Sequence, residues 1–132
     1  MSFLIDTDII IENLKQNEAV RKRLIEYATI PKAISVITYG ELLYGAQISR
    51  QSAKNLATIR GLPDIFPIIN VGRGIMETFI ETKRTLELEG QALDDMDLLI
   101  AATALTLNYR LVTNNTKHFG RVKGLEIDNW LE

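Results

Sequence analysis

The chain has 132 residues, enough for a single domain with a real core, and a domain spanning residues 1–132 is expected. It is 46% hydrophobic and 24% charged with a formal net charge of −2, an ordinary globular composition. That balance excludes a broadly basic nucleic-acid binder but leaves room for a local basic face. The absence of Cys excludes disulfide and thiolate chemistry and favours a reducing compartment, so the cytoplasm is the expected location.

The first residues, Ser2-Phe3-Leu4-Ile5-Asp6-Thr7-Asp8, join an apolar run to an acidic and hydroxylic cluster. The pattern is that of a buried strand turning into a helix, not of a signal peptide, and it puts Asp6 at the strand's carboxyl end. In a parallel α/β sheet the ligand crevice lies outside that edge. Ile9-Ile10-Ile11 begins a first helix, and Glu18 to Ala28 forms a second, with Val20, Leu24 and Ile25 inward and Arg21, Lys22 and Arg23 mostly outward. Pro31 breaks the pattern, and Ala33-Ile34-Ser35-Val36-Ile37 is predicted as a second buried strand. Thr38 is then expected to cap a helix carrying Leu42, Leu43 and Ala46, with Gly45 marking close packing.

A short helix over 51–60 stops at Gly61-Leu62-Pro63, and Ile65 to Ile69 is predicted as a third strand, pushed to a sheet edge by Pro67. A long helix over 74–89 is predicted to bury Ile75, Met76, Phe79, Ile80 and Leu86. Asp94 opens the most apolar helix of the chain, which Asn108 closes. Leu111-Val112-Thr113 forms a fourth strand, Asn114 to His118 a polar loop, and Leu125 to Ile127 a last strand. No unbroken apolar run is long enough to span a bilayer, and no membrane association is expected. Strands alternating with helices imply an α/β fold with a parallel sheet covered on both faces.

The candidate chemistry is acidic: Asp6, Glu41, and the group Asp94, Asp95 and Asp97. Each has a plain structural use. Thr38 and Glu41 have capping-box spacing, as do Asp94 and Asp97, and Asp6 precedes a helix. Together they say more. Carboxylates at a strand end and in first helical turns can converge on one crevice, where they repel one another unless a cation intervenes. Hard divalent ions bind such oxygens, and they can activate water and clamp a phosphodiester for in-line displacement. His118 is the only His, which excludes a two-histidine nuclease and a His-rich zinc site. Between Leu98 and Leu125 there is no acidic residue, whereas Arg110, Lys117, Arg121 and Lys123 are basic. That stretch suits a backbone-binding rim, and equally an ordinary solvated loop.

Four segments carry a resemblance: Leu4-Ile5-Asp6-Thr7, Glu41-Leu42-Leu43-Tyr44-Gly45-Ala46, Asp97-Leu98-Leu99-Ile100-Ala101-Ala102, and Val112-Thr113-Asn114-Asn115-Thr116-Lys117-His118-Phe119. In that order they resemble the motifs of PIN-domain ribonucleases, most of all the VapC-type toxins of toxin–antitoxin pairs. The resemblance implies a PIN-like three-layer sandwich with a central, mainly parallel five-stranded sheet. It implies Mg²⁺- or Mn²⁺-dependent endonucleolytic cleavage of tRNA or rRNA that stops translation, a homodimer, and a cognate VapB-type antitoxin that covers the site. The aliphatic segments Ile9 to Ile11 and Leu42-Leu43-Tyr44 are candidates for the dimer surface. Asp6, Glu41 and Asp97 match the acidic metal positions and Thr113 the hydroxyl beside them; Lys117, Arg121 and Lys123 are expected, from the charge pattern, to hold the flanking RNA backbone. Where many PIN domains have a fourth acid this chain has Asn115, whose amide can accept a hydrogen bond but brings no charge, leaving one metal or two open.

Two rivals stand beside this reading. Asp6-Thr7-Asp8 also resembles the Asp-x-Asp motif of haloacid-dehalogenase-like phosphatases, with Asp94-Asp95 as a late acidic pair. Asn115 alternatively suggests a PIN-like interaction module with a weakened metal site.

Overall fold

The computed structural model describes all 132 residues. Five strands form one sheet: β1 (Phe3–Ile5), β2 (Lys32–Ser35), β3 (Ile68–Ile69), β4 (Arg110–Val112) and β5 (Ile127–Asp128). Their order is β3-β2-β1-β4-β5, and every pairing is parallel. The chain therefore builds outward from β1 on one side, then crosses to its other side at β4. Where the strand order reverses, the connections diverge and leave a crevice at the carboxyl ends of β1 and β4.

Successive side chains of a strand point to opposite faces, so β1 feeds two cores. Phe3 and Ile5 enter one with Ile34, Val112 and Trp130, and Leu4 enters the other with Ala33 and Leu111. The first face is covered by α1 (Thr7–Leu14), α2 (Glu18–Glu26), α3 (Val36–Gln47) and α4 (Ser52–Arg60) through Ile9, Ile10, Val20, Leu42, Ala46 and Ile59. The second is covered by α5 (Arg73–Leu88), α6 (Asp95–Leu107) and the one-turn α7 (Thr116–Phe119). Trp130 is fully buried edge-on to Phe3 and stacked on Tyr27, fastening the C-terminal segment to the first core. No helix is long and apolar enough to cross a membrane.

The expected three-layer α/β sandwich is present, and its sheet is wholly parallel. Several local expectations are corrected. Ser35, not Thr38, caps α3: its hydroxyl accepts from Ile37 N, and Val36-Ile37 are the first helical turn instead of strand. Thr38 is fully buried inside the helix, so Thr38 and Glu41 form no capping box. The third strand shrinks to Ile68–Ile69, because Leu62 to Asp64 form a 3₁₀ turn and Ile65 faces solvent. On α5, Ile75, Phe79 and Leu86 are buried, but Met76 and Ile80 are 40% and 56% exposed, so the inward stripe is narrower than the composition implies. A Cβ on Gly45 would meet nothing, so close packing does not explain that glycine. The polar segment after β4 contains a helix, α7, which Phe119 anchors in the second core.

Candidate functional site

Asp6 follows β1 directly, and its amide donates to Val112 O of β4, which holds it at the crevice. It is the N-cap of α1: Oδ1 accepts from Thr7 N at 2.8 Å. Oδ2 accepts from the Thr113 hydroxyl at 2.7 Å, so the carboxyl ends of the two neighbouring strands are joined by a side-chain bond. The Thr113 oxygen in turn accepts from Asn115 N at 3.0 Å. Asp6 and Thr113 are both buried. A polar pair withdrawn from water at a sheet edge is costly unless fully bonded, and here each partner satisfies the other.

Two further helices bring charge to this pair. Asp97 lies in the first turn of α6, whose N-cap is Asp94, bonded to Met96 N at 3.1 Å. Glu41 lies at the exposed rim, in the second turn of α3, where Oε1 accepts from Thr7 Oγ1 at 2.7 Å. Thr7 also reaches Thr38 Oγ1 at 3.1 Å, so α1 and α3 are tied by hydroxyl bonds beneath Glu41. Asp8, in the first turn of α1, accepts from Asn114 N at 3.0 Å through Oδ2, while its Oδ1 is buried without a hydrogen-bond partner.

The electrostatics follow from this crowding. Burial pushes the Asp6 carboxyl up to about 7, helped by the charges of Asp8 and Asp97 and opposed by the bonds from Thr113 and Thr7. Burial also raises Asp8, against the bond from Asn114 N. Asp97 is raised by burial, then by Asp94 and Glu41, with the His118 imidazole pulling the other way. Like charges held together out of water raise one another in this manner. The donors are all hard oxygens, and Asp8 Oδ1 is an orphaned acceptor among them. Both features fit a hard divalent cation. No three acidic or imidazole side chains converge closely enough to enclose an ion as they stand, because Asp6 and Glu41 are turned to the hydroxyls of Thr113 and Thr7.

A PIN-domain family model matches residues 3–125. Ribonuclease VapC1 from Methanocaldococcus jannaschii is 36% identical over 126 residues, covering 94% of this chain and 85% of its own. The chain belongs to the VapC family of PIN domains. The tRNA(fMet)-specific endonuclease VapC of Shigella flexneri is 29% identical, covering 98% of both chains. Among solved structures, VapBC2 from Rickettsia felis, bound to a promoter DNA fragment, superposes with a TM-score of 0.92 at 30% identity, covering 98% of this chain and 99% of that one.

In this VapC-family PIN domain, Asp6 and Thr113 are bonded at the crevice, Asp97 is near enough for its charge to be felt at Asp6, Glu41 lies at the rim, and Asn115 is joined to Thr113 through its backbone. Asp94 stays a helix cap, and Asp95 pairs outward with Lys83 at 2.9 Å. A pair in which one acid caps its own helix and the other is spent on an outward ion pair does not serve a phosphatase, and that rival falls. Lys117 lies on α7, two residues beyond Asn115, and is exposed. Arg121 and Lys123 turn instead to the end of α5 and the connection after it: Arg121 donates to Ala92 O at 3.0 Å, and Lys123 lies 3.5 Å from Glu89. Of the apolar residues offered for a dimer surface, Ile9, Ile10 and Leu42 are spent in the core, while Ile11 and Tyr44 face solvent. Sequence reasoning missed Asp8 and His118 as neighbours of the site. The Asp-x-Asp spacing signalled Asp8, whereas nothing local signalled His118.

Proposed function

We propose that this PIN domain is a divalent-cation-dependent endoribonuclease and the toxin of a VapBC-type pair, cleaving tRNA or rRNA in the cytoplasm to inhibit translation. The observation that carries the reading is the buried Asp6 carboxylate at the sheet's reversal point, crowded by Asp8 and Asp97, in a chain whose relatives are named ribonucleases. In this reading Asp6, Glu41 and Asp97 hold Mg²⁺ or Mn²⁺. When bound, such an ion polarises the scissile phosphate and makes water a stronger nucleophile.

The chain's own residues prepare that chemistry. Thr113 fixes the rotamer of Asp6 by donating to Oδ2, which leaves the carboxylate oriented before substrate arrives. Asn115 holds Thr113 from behind through its amide N–H, and its side chain is the neutral member of the set. Asp97, at the start of α6, sits where a helix terminus favours the charged form, opposing the burial and neighbouring carboxylates that raise it. Glu41, at the rim, is bonded to a single hydroxyl that water can replace. Lys117, with Arg121 and Lys123 further out, binds flanking phosphates. The solved VapBC complexes support a VapB-type antitoxin as partner, and the family supports a homodimer in which Tyr44 and Ile11 are available for contact.

Incubation of purified protein with total tRNA and rRNA tests the reading. Discrete cleavage products are expected with Mg²⁺ or Mn²⁺ and none with excess chelator, and activity returns when metal is restored. Cleavage that persists unchanged in chelator overturns the cation mechanism, and intact RNA at every metal concentration favours the non-catalytic interaction module.

A further inference from the structure

Asp8 has a feature that its position in α1 does not explain. An acid in the first turn of a helix is stabilised by the helix terminus whichever way its oxygens point. Here only Oδ2 is used, as acceptor for Asn114 N at 3.0 Å. Oδ1 is buried and has no donor. Its charge is felt at Asp6 and at Asp97. Buried carboxylate oxygens without a donor are rare, because the lost hydration is not recovered. Carboxylates crowded out of water in this way repel one another unless a cation or a proton intervenes.

The second observation is Asn115. It is tied into the site by its backbone N–H to Thr113, so its position in the fold is that of a site residue, yet it carries no charge. The site therefore has a neutral side chain in the loop after Thr113 and an extra carboxylate two residues beyond Asp6. We propose that Asp8 supplies the fourth carboxylate of the cation site, its Oδ1 taking the role that the neutral Asn115 does not fill. The inference rests on the cation reading above and adds to it a ligand from α1. Oδ2 stays on Asn114 N, so the same side chain fixes the loop that carries Asn115 and presents its other oxygen to the ion.

The test is direct binding of Mn²⁺ to RNA-free protein at pH 8, by titration calorimetry, in wild type, Asp8→Asn, Asn115→Asp and the double variant. Asn retains an oxygen that can accept from Asn114 N, so Asp8→Asn is expected to fold, checked by far-UV circular dichroism. Its Mn²⁺ affinity is expected to fall tenfold or more, and the double variant is expected to recover it. Asn115→Asp alone, which keeps Asp8, is expected to tighten binding less than tenfold, because the fourth place is already filled. Wild-type affinity in folded Asp8→Asn shows that Asp8 only anchors the loop or shares a proton, and overturns the proposal. A tightening of tenfold or more in Asn115→Asp also overturns it, and remains readable if Asp8→Asn does not fold. If wild-type protein binds no Mn²⁺, the cation reading itself falls. Binding by wild type with no loss in Asp8→Asn removes only the role of Asp8.

Discussion

Replacing Asp6 with Asn should remove a pH-dependent instability from the metal-free protein. Asp6 is raised from 3.8 to about 7, first by burial and then by Asp8 and Asp97. Between those values the folded protein keeps a proton that the unfolded chain releases, so stability falls as pH rises through the window from about 4 to 7. At 1.36 kcal/mol per unit, Asp6 alone makes the wild type lose roughly 2.5 kcal/mol between pH 5 and pH 8. Asn has no carboxyl to titrate. Its oxygen can keep the bond from Thr7 N, and its amide can donate to Thr113 Oγ1, a hydroxyl able to reverse its role. The fold should survive, and any fixed cost of that reversal cancels when each protein is compared with itself at two pH values. Urea unfolding in excess chelator, followed by far-UV circular dichroism, gives both slopes. The wild type is expected to lose about 2.5 kcal/mol more than Asp6→Asn from pH 5 to pH 8. Equal pH dependence in the two proteins, or a wild type that gains stability over that range, would refute the claim that Asp6 is buried among like charges.

Thr113→Val removes the donor to Asp6 Oδ2 and the acceptor for Asn115 N, and should cost about 1–3 kcal/mol in urea unfolding while lowering cleavage at saturating Mg²⁺. An unperturbed stability would mean that the bond is not formed in solution. Lys117→Ala should flatten the salt dependence of RNA binding by about 0.7 in log–log slope, one phosphate contact on a single strand, whereas Lys123→Ala, already facing Glu89, should change it less. The reverse ranking would place the RNA path along the end of α5. Light scattering at micromolar concentration is expected to give the mass of a dimer, and Tyr44→Glu, at a side chain 68% exposed on α3, is expected to shift it towards monomer.

The layered α/β fold was legible because β1, β2 and β4 are short apolar runs and the intervening helices carry a helical stripe. The errors arise where two local signals coincide. Val36 and Ile37 are β-branched and follow the strand residues Lys32–Ser35 directly, so sequence extends the strand through them, but the Ser35 hydroxyl turns the chain into a helix there. Met76 and Ile80 look like core, yet α5 presents only its Ile75, Phe79 and Leu86 edge to the sheet. At the site, Asp6, Glu41 and Asp97 could be named from motifs, but capping and ligation leave the same residue types at the same spacing. Only the three-dimensional arrangement separates Asp94, which bonds its own helix, from Asp97, which feels Glu41, Asp8 and His118. Asp8, despite its Asp-x-Asp spacing, is ambiguous for the same reason. Its helix-start position gave a sufficient local explanation, and its contact with Asn114, 106 residues away, is invisible in sequence.

The comparison of Asp94 with Asp97 therefore tests the central claim most directly. Both begin α6 and both are exchanged for Asn, which caps helices as well as Asp does. Single-turnover RNA cleavage in saturating Mg²⁺ should be retained by Asp94→Asn. In folded Asp97→Asn it should fall by on the order of a hundredfold, the scale of losing one preorganised charge-stabilising group, and the thermal stabilisation by Mg²⁺ should weaken with it. Wild-type cleavage by folded Asp97→Asn would contradict a cation site built on these carboxylates and reduce the acidic cluster to a set of helix caps.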